Sequence, residues 1–244
     1  MPLGRFLAQS TAPDQPLFII NVEGINGRGA TPSSVKEMAL KYVDEIIRTE
    51  PIDRLLVAGM CAGGLAALEV ARVLIARGRK VGPVILADPP PAQVLMQQHR
   101  LADHRDPQVA AQLYQRARGE LLDHASQSHM DMPFSVNDQE QVHIATQAAV
   151  KTSVAFCTHA PETFPHPIVA ILSFERAAGF FHPQMLWVRL LPRRLMVHVL
   201  PYTHAEIFRS GVHDFACVLN FVLEQAMNSG VAEERAMKSA VTSA

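Results

Sequence analysis

Apolar residues in this chain fall into short continuous runs, separated by longer stretches in which they recur at helical spacing. The first run, Phe18-Ile19-Ile20-Asn21-Val22, ends in glycines at 24, 27 and 29, as a buried strand does before a turn. Ser34, with Glu37 three positions on, carries the signature of a capping box. Behind it Val35, Met38, Ala39, Tyr42, Val43 and Ile46 mark one face of a helix that reaches about Arg48. Leu55 to Ala58 predicts a second buried strand, and Ala62 to Arg77 a second helix stopped at Gly78. Val84 to Ala87 predicts a third strand, closed by Asp88 and three prolines. From about Gln93 to Phe164 the rhythm changes to a polar, mostly helical composition. Ile168 to Phe174 and Leu195 to Leu200 then read as strands, and Gly211 to Met227 as an amphipathic helix with Val212, Phe215, Val218, Leu219 and Val222 on one side.

Strands that alternate with helices predict a parallel sheet with crossover helices. The simplest organisation is a single α/β domain over residues 1–228 with a helical insertion at about 93–164. Residues 229–244, small and polar, read as a flexible C-terminal tail.

Composition narrows the partners. With 22 Lys and Arg against 23 Asp and Glu, the formal charge is −1, which argues against a nucleic-acid binder working by broad electrostatics. The 48% hydrophobic content argues for a packed core rather than a disordered chain. The most apolar stretch, from Leu55, meets Glu69 well short of the roughly 18 residues a spanning helix needs, so no membrane partner is expected. The N-terminus has no apolar core of a secretory signal, and three Cys do not make a disulfide framework. Both point to a reducing, cytoplasmic setting.

Candidate chemistry concentrates at three places. Gly59-Met60-Cys61-Ala62-Gly63-Gly64 has the small-x-nucleophile-x-small shape of a nucleophile elbow, with Cys where Ser is usual. Glycines suit the elbow because its sharp turn leaves no room for neighbouring Cβ atoms. A helix starting behind Cys61 would favour the thiolate and offer the N–H of Ala62 to a developing oxyanion. Asp88 stands at the end of the next strand, where open α/β sheets place functional groups. His204 follows the last strand in Leu200-Pro201-Tyr202-Thr203-His204. The order nucleophile, acid, base is that of the α/β-hydrolases. Glu175, after the strand at 168–174, is a reserve acid for His204.

Other groups carry less. His99, His104, His124, His129, His143, His159 and His166 lack metal-ligand spacing and read as solvated or packing residues. Cys157 and Cys217 have no elbow context and read as buried small hydrophobes. Arg189, Arg193 and Arg194 form a basic cluster, read first as a solvated edge and second as a site for a phosphate group or an acidic partner surface.

From Phe18 to about Met227 the chain resembles the thioesterase domains of non-ribosomal peptide and polyketide synthases. The resemblance rests on Ile52 to Glu69 around the elbow, on Ile85-Leu86-Ala87-Asp88-Pro89-Pro90-Pro91, and on Leu200 to His204, where the family's usual Gly-Asp is Tyr202-Thr203. It implies an α/β-hydrolase fold, a mostly parallel sheet flanked by helices with a helical lid insertion. It also implies a triad of Cys61, Asp88 and His204, no bound cofactor, and an acyl group presented on the phosphopantetheine of an acyl or peptidyl carrier protein. Gly24-Ile25-Asn26-Gly27 falls where the family has a Gly-Leu-Asp-Gly-like turn. On that alignment the earlier strand and the loop that gives the second oxyanion N–H are absent. Alternatively Phe18 to Gly24 is that earlier strand and the segment after it is missing. A second subunit could also complete the front.

Cys for Ser changes the expected chemistry. A Cys acyl-enzyme is itself a thioester, so loading from a carrier thioester is close to isoenergetic and the acyl group stays activated. The expectation is therefore a thioesterase-like acyltransferase of natural-product biosynthesis, acting by transfer or cyclising release. The resemblance extends to stand-alone aminoacyl shuttles that work through a Cys. The alternatives are a type II thioesterase that hydrolyses carrier-bound acyl groups and a catalytically degenerate module that binds a carrier protein.

Overall fold

The structure, a computed structural model, describes residues 3–11, 16–49, 54–90, 106–127, 134–180 and 195–242. The order of elements is α1 (Leu3–Ser10), α2 (Val35–Thr49), β1 (Arg54–Leu55), β2 (Ala58–Met60), α3 (Gly63–Ala76), β3 (Lys80–Val81) and β4 (Val84–Ala87). It continues with α4 (Pro107–Gln127), α5 (Gln139–Thr158), β5 (Ile168–Ser173), α6 (Phe174–Phe180), β6 (Leu195–Leu200), α7 (His204–Ile207) and α8 (Val212–Thr242). Four strands form a parallel sheet in the order β2-β4-β5-β6, and β1 pairs with β3 in parallel beside it. No helix among the described residues is long and apolar enough to cross a membrane.

β4 and β5 are buried along their whole length because helices cover both faces of the sheet. Val84 and Leu86 point to one side, into a cluster with Leu65, Leu68 and Ala71 of α3 and Phe180 of α6. Ile85 and Ala87 point to the other, against Phe215, Leu219 and Val222 of α8. This alternation is the pleat read in side chains. Each such Leu or Ile taken fully from water contributes roughly 1.5–3 kcal/mol. α2 lies outside α3, with Ala39 and Val43 against Val70 and Leu74. Its start is capped as the spacing predicts. Ser34 Oγ accepts from the Glu37 N–H at 3.1 Å, while the Glu37 carboxylate accepts from the Ser33 N–H at 2.7 Å, one residue before the expected position.

Several expectations are corrected. Phe18 to Val22 is not a buried strand: Phe18 and Ile19 are 58% and 59% exposed and the segment is unpaired. Its composition favours burial, but a strand also needs a partner edge, and the chain turns instead at Gly24 and Gly27, both at positive φ. Ile25 then packs with Phe134, Val142 and Ala145, so the front loop is held beneath the inserted helices. The strand read at Leu55 to Ala58 divides, and its second half, β2, extends to Met60. There pairing with β4 (Gly59 opposite Leu86) holds the backbone extended up to Cys61. The last helix outruns its apolar stripe, reaching Thr242 instead of Met227. Beyond Gly230 the run Val-Ala-Glu-Glu-Arg-Ala-Met-Lys-Ser-Ala is rich in helix formers.

Candidate active site

The C-terminal ends of the four parallel strands converge on one place, and each contributes. Cys61 directly follows β2 with φ +50, the left-handed region that non-glycine residues rarely occupy. Its N–H donates to the Ala87 carbonyl of β4 at 2.9 Å, and its own carbonyl accepts from Gly64, so the turn is tied at both sides. A Cβ on Gly59 would collide with the Gly63 carbonyl, which is why this position excludes any side chain. Gly59→Ala is expected to destabilise the domain by about 2 kcal/mol or more and to lower the rate at which a maleimide labels Cys61, read by thermal melting and peptide mass spectrometry. Ala62 caps α3 with no side chain over the helix end, and its N–H has no backbone acceptor among the described residues.

Asp88 also sits at positive φ (+48) and is fully buried. Its N–H donates to Ile171 at 2.7 Å, Oδ1 accepts from the Ser173 N–H at 2.7 Å, and Oδ2 lies 2.6 Å from Nδ1 of His204. Burial raises the carboxyl pKa, but hydrogen bonds from His204 and Ser173 outweigh it, and the group is held below the ordinary carboxylate range. His204 begins α7. Thr203 caps that helix, its N–H donating to the Glu206 carboxylate at 3.0 Å, which accounts for a cap-forming residue where the family's usual Gly-Asp would end.

The imidazole is pushed up to about 9, first by the hydrogen bond to Asp88 and then by one to Cys61. The Cys61 thiol is raised by burial, but the hydrogen bonds to His204 and Arg176 outweigh that and leave it below its ordinary value. The two shifts together favour a thiolate–imidazolium pair.

Cys61, Asp88 and His204 are thus brought together. Glu175 does not reach the imidazole: its Oε2 accepts from the backbone N–H of His204 at 2.9 Å, so it holds the loop while Asp88 holds the ring. Sequence reasoning missed the next residue. Arg176 Nη1 lies 3.7 Å from Cys61 Sγ and 2.5 Å from the Asp88 carbonyl oxygen, and Nε is 3.6 Å from Asp88 Oδ2. The available signal was positional, a Glu-Arg pair two residues beyond the end of a fully buried strand.

The remaining candidates lie apart. Tyr114 and Gln147 take the two ring nitrogens of His143, at 2.6 and 3.0 Å, and His166 packs against Phe164. His159 Nε2 is 3.4 Å from the buried Glu69 on α3. Cys157 is buried as expected, but Cys217 is exposed, because its neighbours Phe215, Ala216 and Leu219 take the inner face of α8. His99, His104, His129, Arg189, Arg193 and Arg194 lie outside the described residues, as does the side chain of His124.

The chain is similar to known proteins in sequence and in fold. The chain is 36% identical to malpinin synthetase of Mortierella alpina over 77 residues, 32% of this chain but 1% of that protein. It is 35% identical over 85 residues to inactive atromentin synthetase invA6 of Paxillus involutus, 35% of this chain and 9% of that one. It therefore spans only a small fraction of these relatives. Among solved structures, the NocB thioesterase domain in covalent complex with a fluorophosphonate nocardicin G analogue superposes with a TM-score of 0.64 at 20% identity, covering 91% of this chain and 88% of that one. A four-domain nonribosomal peptide synthetase bound to AMP and glycine superposes with a TM-score of 0.67 at 20% identity, covering 90% and 19%. These likenesses show the fold to be that of the α/β-hydrolases. The family model for the thioesterase domain matches residues 5–216, and the chain belongs to that family.

Proposed function

We propose that this chain is a carrier-dependent acyltransferase in which Cys61 takes an acyl group from a phosphopantetheine thioester and passes it to a second acceptor. The observation that carries this reading is the buried Asp88 at 2.6 Å from Nδ1 of His204, with the thiol held on the elbow beside them. In the favoured ionisation state the thiolate attacks the thioester carbonyl, forming the bond from Cys61 Sγ to the acyl carbon. The start of α3 and the Ala62 N–H favour charge on the oxygen of the tetrahedral intermediate. The bond from the acyl carbon to the phosphopantetheine sulfur then breaks, and that sulfur takes the proton from His204. His204, now neutral and oriented by Asp88, deprotonates the incoming thiol, amine or hydroxyl, and the same steps run in reverse.

Transfer is preferred to hydrolysis on chemical grounds. The acyl group exchanges one thioester for another at little cost, and the front loop that could supply a second donor packs under the inserted helices through Ile25. A type II thioesterase remains the second reading. The test uses carrier proteins loaded with acetyl, hexanoyl and aminoacyl phosphopantetheine, with a second, empty holo-carrier of different mass. Intact-mass measurement is expected to show an acyl adduct on this chain and label on the second carrier. Free acid alone would establish hydrolysis, and no adduct with any acyl group would leave a carrier-binding module.

A further inference from the structure

Three residues at the junction of β5 and α6 hold the site from one side. Ser173 donates its N–H to Asp88 Oδ1, Glu175 accepts from the His204 backbone, and Arg176 reaches across to Cys61. Arg176 is itself anchored, its backbone N–H donating to Ser173 Oγ at 3.3 Å, and only 15% of its side chain is exposed.

Charge counting shows what the guanidinium adds. A thiolate, an imidazolium and the buried Asp88 carboxylate sum to −1, and a net charge is costly where Asp88 is fully out of water. With Arg176 these four groups sum to zero, the Glu175 carboxylate being exposed to water and outside the count. They also sum to zero after acylation, when the thiolate charge is gone and His204 has given its proton to the departing thiol. The position of Arg176 fits this account: one nitrogen faces the sulfur and another faces the carboxylate.

We propose that Arg176 is a further catalytic residue, a fixed cation that keeps Cys61 in its anionic form and so makes it both a ready nucleophile and a good leaving group for the acyl chain. This rests on the reading of Cys61 as the acyl acceptor. A less basic sulfur releases its acyl group more readily to a second thiol or amine, so Arg176 favours onward transfer over a stalled acyl-enzyme. The groups facing the Cys61 sulfur are Arg176 from α6 and His204 from α7, with the Asp88 carboxylate behind both.

The test is alkylation of Cys61 by iodoacetamide as a function of pH, with peptide mass spectrometry separating it from Cys157 and Cys217. In the unchanged chain the midpoint is expected below the roughly 8.5 of a free thiol. Arg176→Gln is expected to raise it by about 1 and to slow label transfer near neutral pH about tenfold. Arg176→Lys, which keeps the charge, is expected to stay near the original midpoint. An unmoved midpoint in Arg176→Gln, or an equal rise in Arg176→Lys, overturns the proposal. If Arg176→Gln shows no cooperative melting transition, His204→Gln decides: a midpoint at or below about 8.5 supports Arg176, and one clearly above it overturns the role. Alkylation needs no acyl substrate, so the two readings fail separately. An acyl adduct with an unmoved midpoint sinks Arg176 alone, and a shifted midpoint with no adduct sinks the acyltransferase alone.

Discussion

Cys61→Ala is expected to abolish acyl transfer, with no adduct on the chain and turnover reduced to the rate of the carrier thioester in buffer. The loss should be complete because no second thiol can substitute: Cys157 is buried between the two inserted helices α4 and α5, and Cys217 is exposed on the outer face of α8. Removing the nucleophile from such a constellation costs about as much as removing all its members together. Stability should change little, since Cys61 is only half-buried and Ala fits the same turn, although the +50 φ remains mildly unfavourable for it. Cys61→Ser makes a more informative companion. Its acyl-enzyme would be an oxygen ester, less activated towards a thiol, so transfer should fall while the adduct persists. The measurement is intact mass over time with the same loaded carriers. Full transfer activity in Cys61→Ala would remove Cys61 from the mechanism.

Asp88→Asn is expected to lower the transfer rate by about 10²–10⁴-fold, the range seen when the orienting acid of a nucleophile–His–acid triad is replaced by its amide. The amide oxygen can still accept from the Ser173 N–H, but the amide nitrogen cannot accept from Nδ1 of His204, so the imidazole loses its tautomer and its counter-charge. Arg176 loses an anionic neighbour in the same substitution. The expected cost in stability is about 3 kcal/mol, because one partner of a buried charge cluster is removed.

The pH dependence of stability carries its own sign. His204 is raised to about 9 in the folded chain, so its share of stability is fully present below its unfolded value near 6.5 and is lost as pH climbs through about 9. Asp88 is depressed, so its share is present above the ordinary carboxylate range and is lost as pH falls through its lowered value. The His204 share should therefore make the melting temperature decline between about pH 6.5 and 9, partly offset by the lowered Cys61 thiol, whose share grows as pH rises towards the ordinary thiol range. That decline should flatten in Asp88→Asn. Differential scanning calorimetry across that range checks it, and an equal decline in both chains would show that the Asp88–His204 contact is not its source.

The sequence by itself determined the local pieces and their order. The runs at 84–87 and 168–173 are strands because apolar residues of mixed branching are compatible with extended backbone buried on both faces, while the run at 195–200 forms the edge strand and leaves Met196 and Val199 exposed. The helices α2 and α3 follow from Ser34, Glu37 and Gly78 at their ends, and the elbow glycines mark the sharp turn after β2. Cys61, Asp88 and His204 could be named because each follows a strand, and parallel strands put their C-terminal ends together.

Only the tertiary structure decided matters of partnership. Phe18 to Val22 is as apolar as the true strands, yet it is exposed, since hydrophobic pattern states a preference for burial and says nothing about which edge is free. The choice between Asp88 and Glu175 as partner of the imidazole turned on distances that spacing does not encode, 2.6 Å to the ring for one and 2.9 Å to the backbone for the other. Arg176 is the clearest case. It is 115 residues from Cys61 along the chain, and no local rule connects them. The pairing of β4 with β5 brings the ends of two strands side by side, and a long charged side chain leaving one of them lands on the residue that leaves the next but one. Local propensity acts over a few residues, whereas charge and contact act through space, and the sheet converts the one into the other.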